Sequence, residues 1–203
     1  MTRRYDSTAR KRTAEETRQR ILAAALKLHW EGITEYDPLA REAGCSLPTV
    51  RKHFPTKEAL FRDCTRTYAE SLILPDIGAL GEIASPERRL EESVSELCRI
   101  HEAMFGYAWT SAHLRRNSPT LDLEMNAYEG LADAIADILT PGDRSRAPVI
   151  RGLLDFLTYR ALRLSGGLSP EGACAELIAT LHPLVVSGPS TTSSTTSKEN
   201  QEP

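Results

Sequence analysis

Apolar residues recur along this chain at spacings of three and four, the period of an α-helix, and no segment alternates as a strand does. Ile21, Leu22, Ala25 and Leu28 form one such stripe. Ahead of it, Thr13-Ala14-Glu15-Glu16 has the form of a capping box, in which the Thr13 hydroxyl accepts from one free N–H and Glu16 reaches back to another. Gly32 is the expected end of this helix. A short second helix is predicted from Asp37-Pro38, with Asp as cap and Pro in the first turn; Leu39, Ala40 and Ala43 are its apolar side and Gly44 closes it. Ser46 then caps a third helix from Leu47 to about Phe54. Pro55-Thr56 breaks that helix and caps a fourth, which carries Ala59, Leu60, Phe61, Cys64, Tyr68 and Leu72 and ends before Pro75.

Downstream, Ser85-Pro86, Ser118-Pro119 and Ser169-Pro170 repeat one device: a capping serine before a proline that needs no N–H. The first opens a helix with Leu90, Val94, Leu97, Ile100, His101 and Met104, and a shorter helix is expected from Tyr107 to Arg116. The second opens a helix with Leu121, Met125, Tyr128, Leu131, Ile135 and Ile138. After the turn Thr140-Pro141-Gly142-Asp143, one long helix is predicted from Arg144 to Leu164, broken by Gly166-Gly167. The third opens a helix ending near Val186. The fold expected is all-α, about nine helices in total: an N-terminal three-helix helix-turn-helix head and a larger helical C-terminal domain. The divisions are residues 1–12, a flexible basic arm; 13–62, the head; 63–186, the body; and 187–203, a Ser/Thr-rich tail expected to be disordered.

Charge changes the picture. The 203 residues carry a net charge of −3, yet residues 1–66 sum to +5 and the remainder to −8. A basic head and an acidic body suggest that only the head meets an anion. Cys45, Cys64, Cys98 and Cys174 are widely separated, which fits reduced thiols in a cytoplasmic protein better than a disulfide framework or a zinc site. The N-terminus lacks the apolar stretch of a secretory signal. No run approaches the roughly 18 apolar residues of a membrane span. No Gly-rich phosphate loop, HExxH or GxSxG motif points to catalysis, no catalytic residue is assigned, and no cofactor is expected. Cys98 and His101 stand one helical turn apart but lack a third metal ligand.

The segment from Leu39 to Phe54 carries the functional signal. Small Ala40 and Ala43 allow two helices to approach, and Gly44 permits a positive φ in the turn. Val50 and Phe54, four apart, face the supporting helices. Thr49, Arg51, Lys52 and His53 are left pointing outward. Such a helix enters a major groove about 12 Å wide with its N-terminal residues at base edges, and its N-terminus also favours phosphate. The same pattern also describes an ordinary helical hairpin with a solvated basic face.

From Ile21 to Phe61 the chain resembles the DNA-binding head of the TetR (tetracycline-repressor) family. The residues that carry this are Ile21-Leu22, Ala24-Ala25, Leu28, Gly32, Leu39-Ala40, Ala43-Gly44, Ser46, Pro48-Thr49-Val50, His53-Phe54, Lys57-Glu58 and Leu60-Phe61. The resemblance implies a homodimer on a palindromic operator in double-stranded DNA, released by a small-molecule effector. It implies phosphate contacts from Thr49, His53 and Lys57, and places Leu47, Pro48 and Arg51 toward bases or the groove. Ser46 and Lys52 complete the expected DNA-binding set. It also implies that the last two long helices, near 144–164 and 169–186, form the dimer. The chain departs from the family pattern at four places. Arg51 replaces a common Tyr and either reads guanine bidentately or holds a phosphate. His29 stands where a buried Phe is usual. The loop from Gly32 to Leu39 is short. Asp37 replaces a basic residue found in some members, and a capping role suits it better.

For the body, a pocket between helices is expected, with His101, Met104, Phe105, Trp109, His113, Met125, Tyr128, Phe156, Tyr159 and Arg160 as candidate ligand-binding residues, although aromatics at helical spacing also serve as plain core. The leading expectation is a ligand-released DNA-binding repressor. The alternatives are a DNA-binding regulator whose body docks a protein partner, and a helical enzyme or carrier with a vestigial head.

Overall fold

The computed structural model describes residues 7–142 and 144–186. Among these the fold is all-helical: α1 (Ser7–Trp30), α2 (Tyr36–Glu42), α3 (Leu47–His53), α4 (Lys57–Ser71), α5 (Ile77–Gly81), α6 (Pro86–Ala103), α7 (Phe105–Leu114), α8 (Pro119–Leu139), α9 (Ala147–Leu153), α10 (Phe156–Leu164) and α11 (Pro170–Val185). The three serine caps form as expected. Ser85 Oγ accepts from Arg88 N at 3.2 Å, Ser118 Oγ from Leu121 N at 3.2 Å, and Ser169 Oγ from Gly172 N at 3.1 Å. Thr56 Oγ1 caps α4 in the same way, accepting from Ala59 N at 3.1 Å.

Four expectations are corrected. Eleven α-helices replace nine: Asp76 caps the short α5, and the predicted helix over 144–164 is interrupted. There, Asp155 leaves the helical conformation and its carboxylate accepts from Leu157 N at 2.8 Å, so α10 has its own N-cap and its own direction. The first helix starts at Ser7, so residues 7–12 are helical rather than a loose arm and Thr13 lies inside the helix, its carbonyl accepting from the Thr17 hydroxyl at 2.8 Å. Asp37 is not the cap of α2, which starts at Tyr36 behind Glu35; it sits exposed in the first turn, where its charge meets the positive end of the helix dipole. Residues 1–6 of the expected arm and the tail at 187–203 lie outside the described residues.

Two clusters of buried apolar residues organise the chain. One gathers Ile21, Ala25, Leu39, Val50, Phe54 and Leu60 of the first four helices and continues into the body through Ile100, Met104, Tyr107 and Phe156. The other holds Leu90, Val94, Leu97, Ile135, Leu154, Tyr159, Leu177 and Leu181. The expected boundary after residue 62 falls inside α4, which packs on both α1 and α8. Two features close the junction. Thr110 Oγ1 donates to His29 O at 2.7 Å. Gly106 lies so close to the end of α1 that a Cβ there would stand 2.2 Å from the Trp30 carbonyl oxygen.

Candidate nucleic-acid interface and body cavity

The turn between α2 and α3 is built on Gly44, whose φ of +62° is the left-handed region that residues with a Cβ resist. Ser46 Oγ accepts from Thr49 N at 3.3 Å and lies 2.8 Å from the Thr49 hydroxyl, fixing the first turn of α3. Pro48 has no N–H, so the exposed end of α3 offers side chains more than backbone donors. Val50 and Phe54 are fully buried. Phe54 is held from two sides: the Arg18 guanidinium lies 4.5 Å from its ring centroid, and Tyr36 OH donates to its carbonyl at 2.9 Å. Arg18 also pairs with the buried Asp63 of α4. With the inner face so fixed, Ser46, Pro48, Arg51 and Lys52 are exposed, while Leu47, Thr49 and His53 are half-buried at the edge of the same face.

Lys57 opens α4 beside this surface. Its Nζ lies 3.4 Å from Thr34 Oγ1 and 4.0 Å from Glu35 Oε1, a solvated pair that a phosphate can displace at little cost. All eight residues expected to meet DNA thus lie on α3, its cap or the first position of α4. Arg51, Lys52 and Lys57 are all exposed on this unit, a charge content suited to a polyanion.

His29 lies behind this unit. It is 2% exposed, tilted against Phe61 with ring centroids 5.4 Å apart, and its Nδ1 has no partner. Burial, reinforced by the Lys57 charge, pushes its pKa down to about 4. The imidazole therefore fills the core as a neutral ring.

In the body, a cavity of about 350 Å³ opens between α4, α6 and α8. Tyr68 of α4 and Leu72 just past its end, Ile100 of α6 and Met104 just past its end, and Tyr128 and Leu131 of α8 form its apolar wall. Of the ten expected ligand-binding residues, Met104 and Tyr128 line it. Behind Tyr128, the rings of His101, Phe105, Phe156 and Tyr159 pack edge-on or tilted, with centroids 5.3 to 6.4 Å apart. His101 is fixed within this cluster. Its Nε2 lies 3.0 Å from the Leu154 carbonyl, which only accepts, so Nε2 carries the proton and Nδ1 accepts from Tyr128 OH. Neither nitrogen is left for a metal, and burial pushes the pKa down to about 4. Met125 is buried. Trp109, His113 and Arg160 form a separate stack, with the Arg160 guanidinium 3.6 Å from the Trp109 ring centroid. A second recess, about 620 Å³, lies by α6, α10 and α11, with Tyr159, Cys98 and Cys174 on its wall.

Nine of the eleven residues lining the cavity between α4, α6 and α8 fall outside the expected ligand-binding set, and Glu124 is the one that carries a charge. Glu124 of α8 reaches the cavity with Thr65, whose hydroxyl donates to Glu124 Oε2 at 2.9 Å; the Tyr107 hydroxyl lies 3.0 Å from Thr65 Oγ1. Burial pushes the Glu124 pKa up to about 7 against the pull of these hydroxyls. The signal was present: Glu124 shares a helical stripe with Leu121, Tyr128 and Leu131, where a charge is out of place.

The arrangement is thus a helix-turn-helix on a helical body with a half-open cavity. No family model matches the chain, and no curated protein is similar to it. Solved structures do share its architecture. A transcriptional regulator from Rhodococcus sp. RHA1 has 23% identity and a TM-score of 0.59, over 84% of this chain and 96% of that one. The transcriptional regulator FadR from Bacillus subtilis, in complex with stearoyl-CoA, has 19% identity and a TM-score of 0.54, over 83% and 97%. A regulator from Aquifex aeolicus VF5, described as of the TerR/AcrR family, has 19% identity and a TM-score of 0.51, over 83% and 99%. The chain therefore has the fold of these regulators along nearly their whole length. Among the described residues, no helix is long and apolar enough to cross a membrane.

Proposed function

We propose that the protein is a TetR-like transcriptional regulator: a homodimer that binds a palindromic operator in double-stranded DNA, acts as a repressor in the cytoplasm, and is released by a small-molecule effector. It has no catalytic role in this reading. The observation that carries it is the reach of α4. This helix begins at Lys57 beside the recognition helix α3, and further along it Thr65 and Tyr68, with Leu72 at its C-cap, stand at the cavity. Asp63 of α4 pairs with Arg18 of α1, which passes a displacement of α4 to the head, while Glu58 in its first turn accepts from Thr120 N at 3.3 Å and ties the helix to α8. A ligand that prefers one setting of α4 shifts DNA affinity by its differential affinity for the two settings. That FadR was solved with stearoyl-CoA supports a body of this fold holding a small molecule.

The dimer is supported by an uncovered apolar face. Leu157 and Leu164 lie two turns apart on α10 and are 53% and 56% exposed. These lie in the segment expected to pair about a two-fold axis, and such a stripe favours burial against a second copy. Arg51 is the first candidate for reading a base, with Thr49, His53 and Lys57 placed for phosphates and Ser46, Leu47, Pro48 and Lys52 completing the contact face.

Selection of bound duplexes from a random pool tests the reading. A palindromic consensus with half-sites about one helical turn apart is the expected result. An asymmetric consensus, or no enrichment, overturns it.

A further inference from the structure

The cavity between α4, α6 and α8 is lined by eleven residues, and Glu124 alone among them bears a formal charge. The rest are apolar side chains and the hydroxyls of Thr65, Tyr68 and Tyr128. No cationic side chain among the described residues pairs with Glu124; its polar partners are the hydroxyls of Thr65 and Tyr107. A carboxylate withdrawn from water without a cation is costly. Nothing in the head requires it, since the contacts holding α4 to α1 and to the start of α8 are made by Asp63 and Glu58. Without a guest, the side chain meets the cost by holding a proton near neutral pH, its pKa raised by burial to about 7. A positively charged guest replaces that proton and recovers the Coulomb attraction to a half-buried carboxylate. Tyr68 and Tyr128 add ring faces to the same wall, which attract a cation and cover an apolar body equally well. An anionic guest meets the opposite field.

We infer that the cavity binds a lipophilic organic monocation, a quaternary ammonium or protonated amine bearing an aromatic or aliphatic body, with its positive centre against Glu124 and its body between Tyr68, Leu72, Met104 and Leu131. This rests on the ligand-responsive reading above and specifies its effector class. Thr65 is a positioning residue, orienting the carboxylate from α4, so that a cation drawn to Glu124 bears directly on the helix that carries Lys57.

Three benzyl probes test this: benzyltrimethylammonium, its uncharged carbon isostere neopentylbenzene, and the smaller anion phenylacetate. Binding to the full chain is measured by calorimetry, and operator affinity is measured beside it. The cation is expected to bind at least about tenfold more tightly than the isostere, with phenylacetate weakest. In Glu124→Gln the preference for the cation is expected to vanish while the isostere binds as before, which also shows that the cavity is intact. Equal affinity for cation and isostere in the wild-type protein, or a cation preference unchanged in Glu124→Gln, overturns the inference and leaves the ligand-responsive reading standing. Tight, Glu124-dependent binding of the cation with no change in operator affinity supports the site and overturns the effector reading. If none of the three probes binds, the inference falls and the ligand-responsive reading stands.

Discussion

His29→Phe offers a sharp test of how the head is packed. In the folded chain His29 is held neutral to about pH 4, while a free imidazole takes its proton near pH 6.5. The unfolded chain therefore binds more protons between these values, so the histidine's contribution to stability is complete above about pH 6.5 and is lost as pH falls toward about 4. Between about pH 7.5 and about pH 5, the wild-type protein loses about 2 kcal/mol from this residue alone. Phenylalanine fills much the same volume against Phe61 and cannot titrate. It also removes the unpartnered Nδ1, a gain of about 1–3 kcal/mol, set against the cost of a slightly larger ring. Urea unfolding of both proteins at the two pH values isolates the effect, because His101 and Glu124 titrate alike in each and cancel. The stability difference between variant and wild type is expected to grow by about 2 kcal/mol in favour of His29→Phe at the lower pH. A difference independent of pH would refute the buried neutral imidazole.

Further predictions follow from the junction, the uncovered face and the recognition helix. Gly106→Ala sets a Cβ 2.2 Å from the Trp30 carbonyl oxygen and 2.8 Å from its ring, and is expected to cost about 3 kcal/mol, read as a lowered urea midpoint. Leu157→Glu with Leu164→Glu is expected to give a folded monomer in sedimentation at micromolar concentration, with helical circular dichroism unchanged. A dimer that persists would place the interface elsewhere. Lys57→Ala is expected to weaken binding equally across duplexes and to reduce the salt slope by about one. Arg51→Ala is expected to relax preference at one base pair, at a cost of about 1–3 kcal/mol. If Arg51→Ala instead behaves as Lys57→Ala does, Arg51 holds a phosphate.

The features legible in the sequence are those set by neighbours in the chain. Each Ser-Pro cap satisfies its own first turn, and Gly44 with Ser46 defines the α2–α3 turn locally, so these elements form where expected. The break before α10 was hidden because Asp155 sits four residues after Arg151, the spacing of ordinary helix partners, and the two do pair at 3.1 Å. Its capping bond, rather than that pair, decides the backbone there. The five residues of α5 include two glycines, which count against a helix, but Asp76 caps the turn and Leu80 is buried against the body. The aromatic residues of the body were visible as a set, yet whether each lines a cavity depends on how α4, α6 and α8 cross. Thus Tyr128 lines the cavity while Phe156 and Tyr159 fill the core behind it. Glu124 was missed for the same reason: its surroundings come from Thr65 and Tyr107, far away in the chain.

The central claim, that α3 and the start of α4 bind duplex DNA, is tested most directly by the salt dependence of affinity for a selected operator duplex. Log affinity is expected to fall linearly with log salt, with a slope of about −0.9 for each phosphate neutralised, and with a shallower slope when Arg51 and Lys57 are both replaced by alanine. Affinity that ignores salt, or a slope unchanged in the double variant, would contradict it.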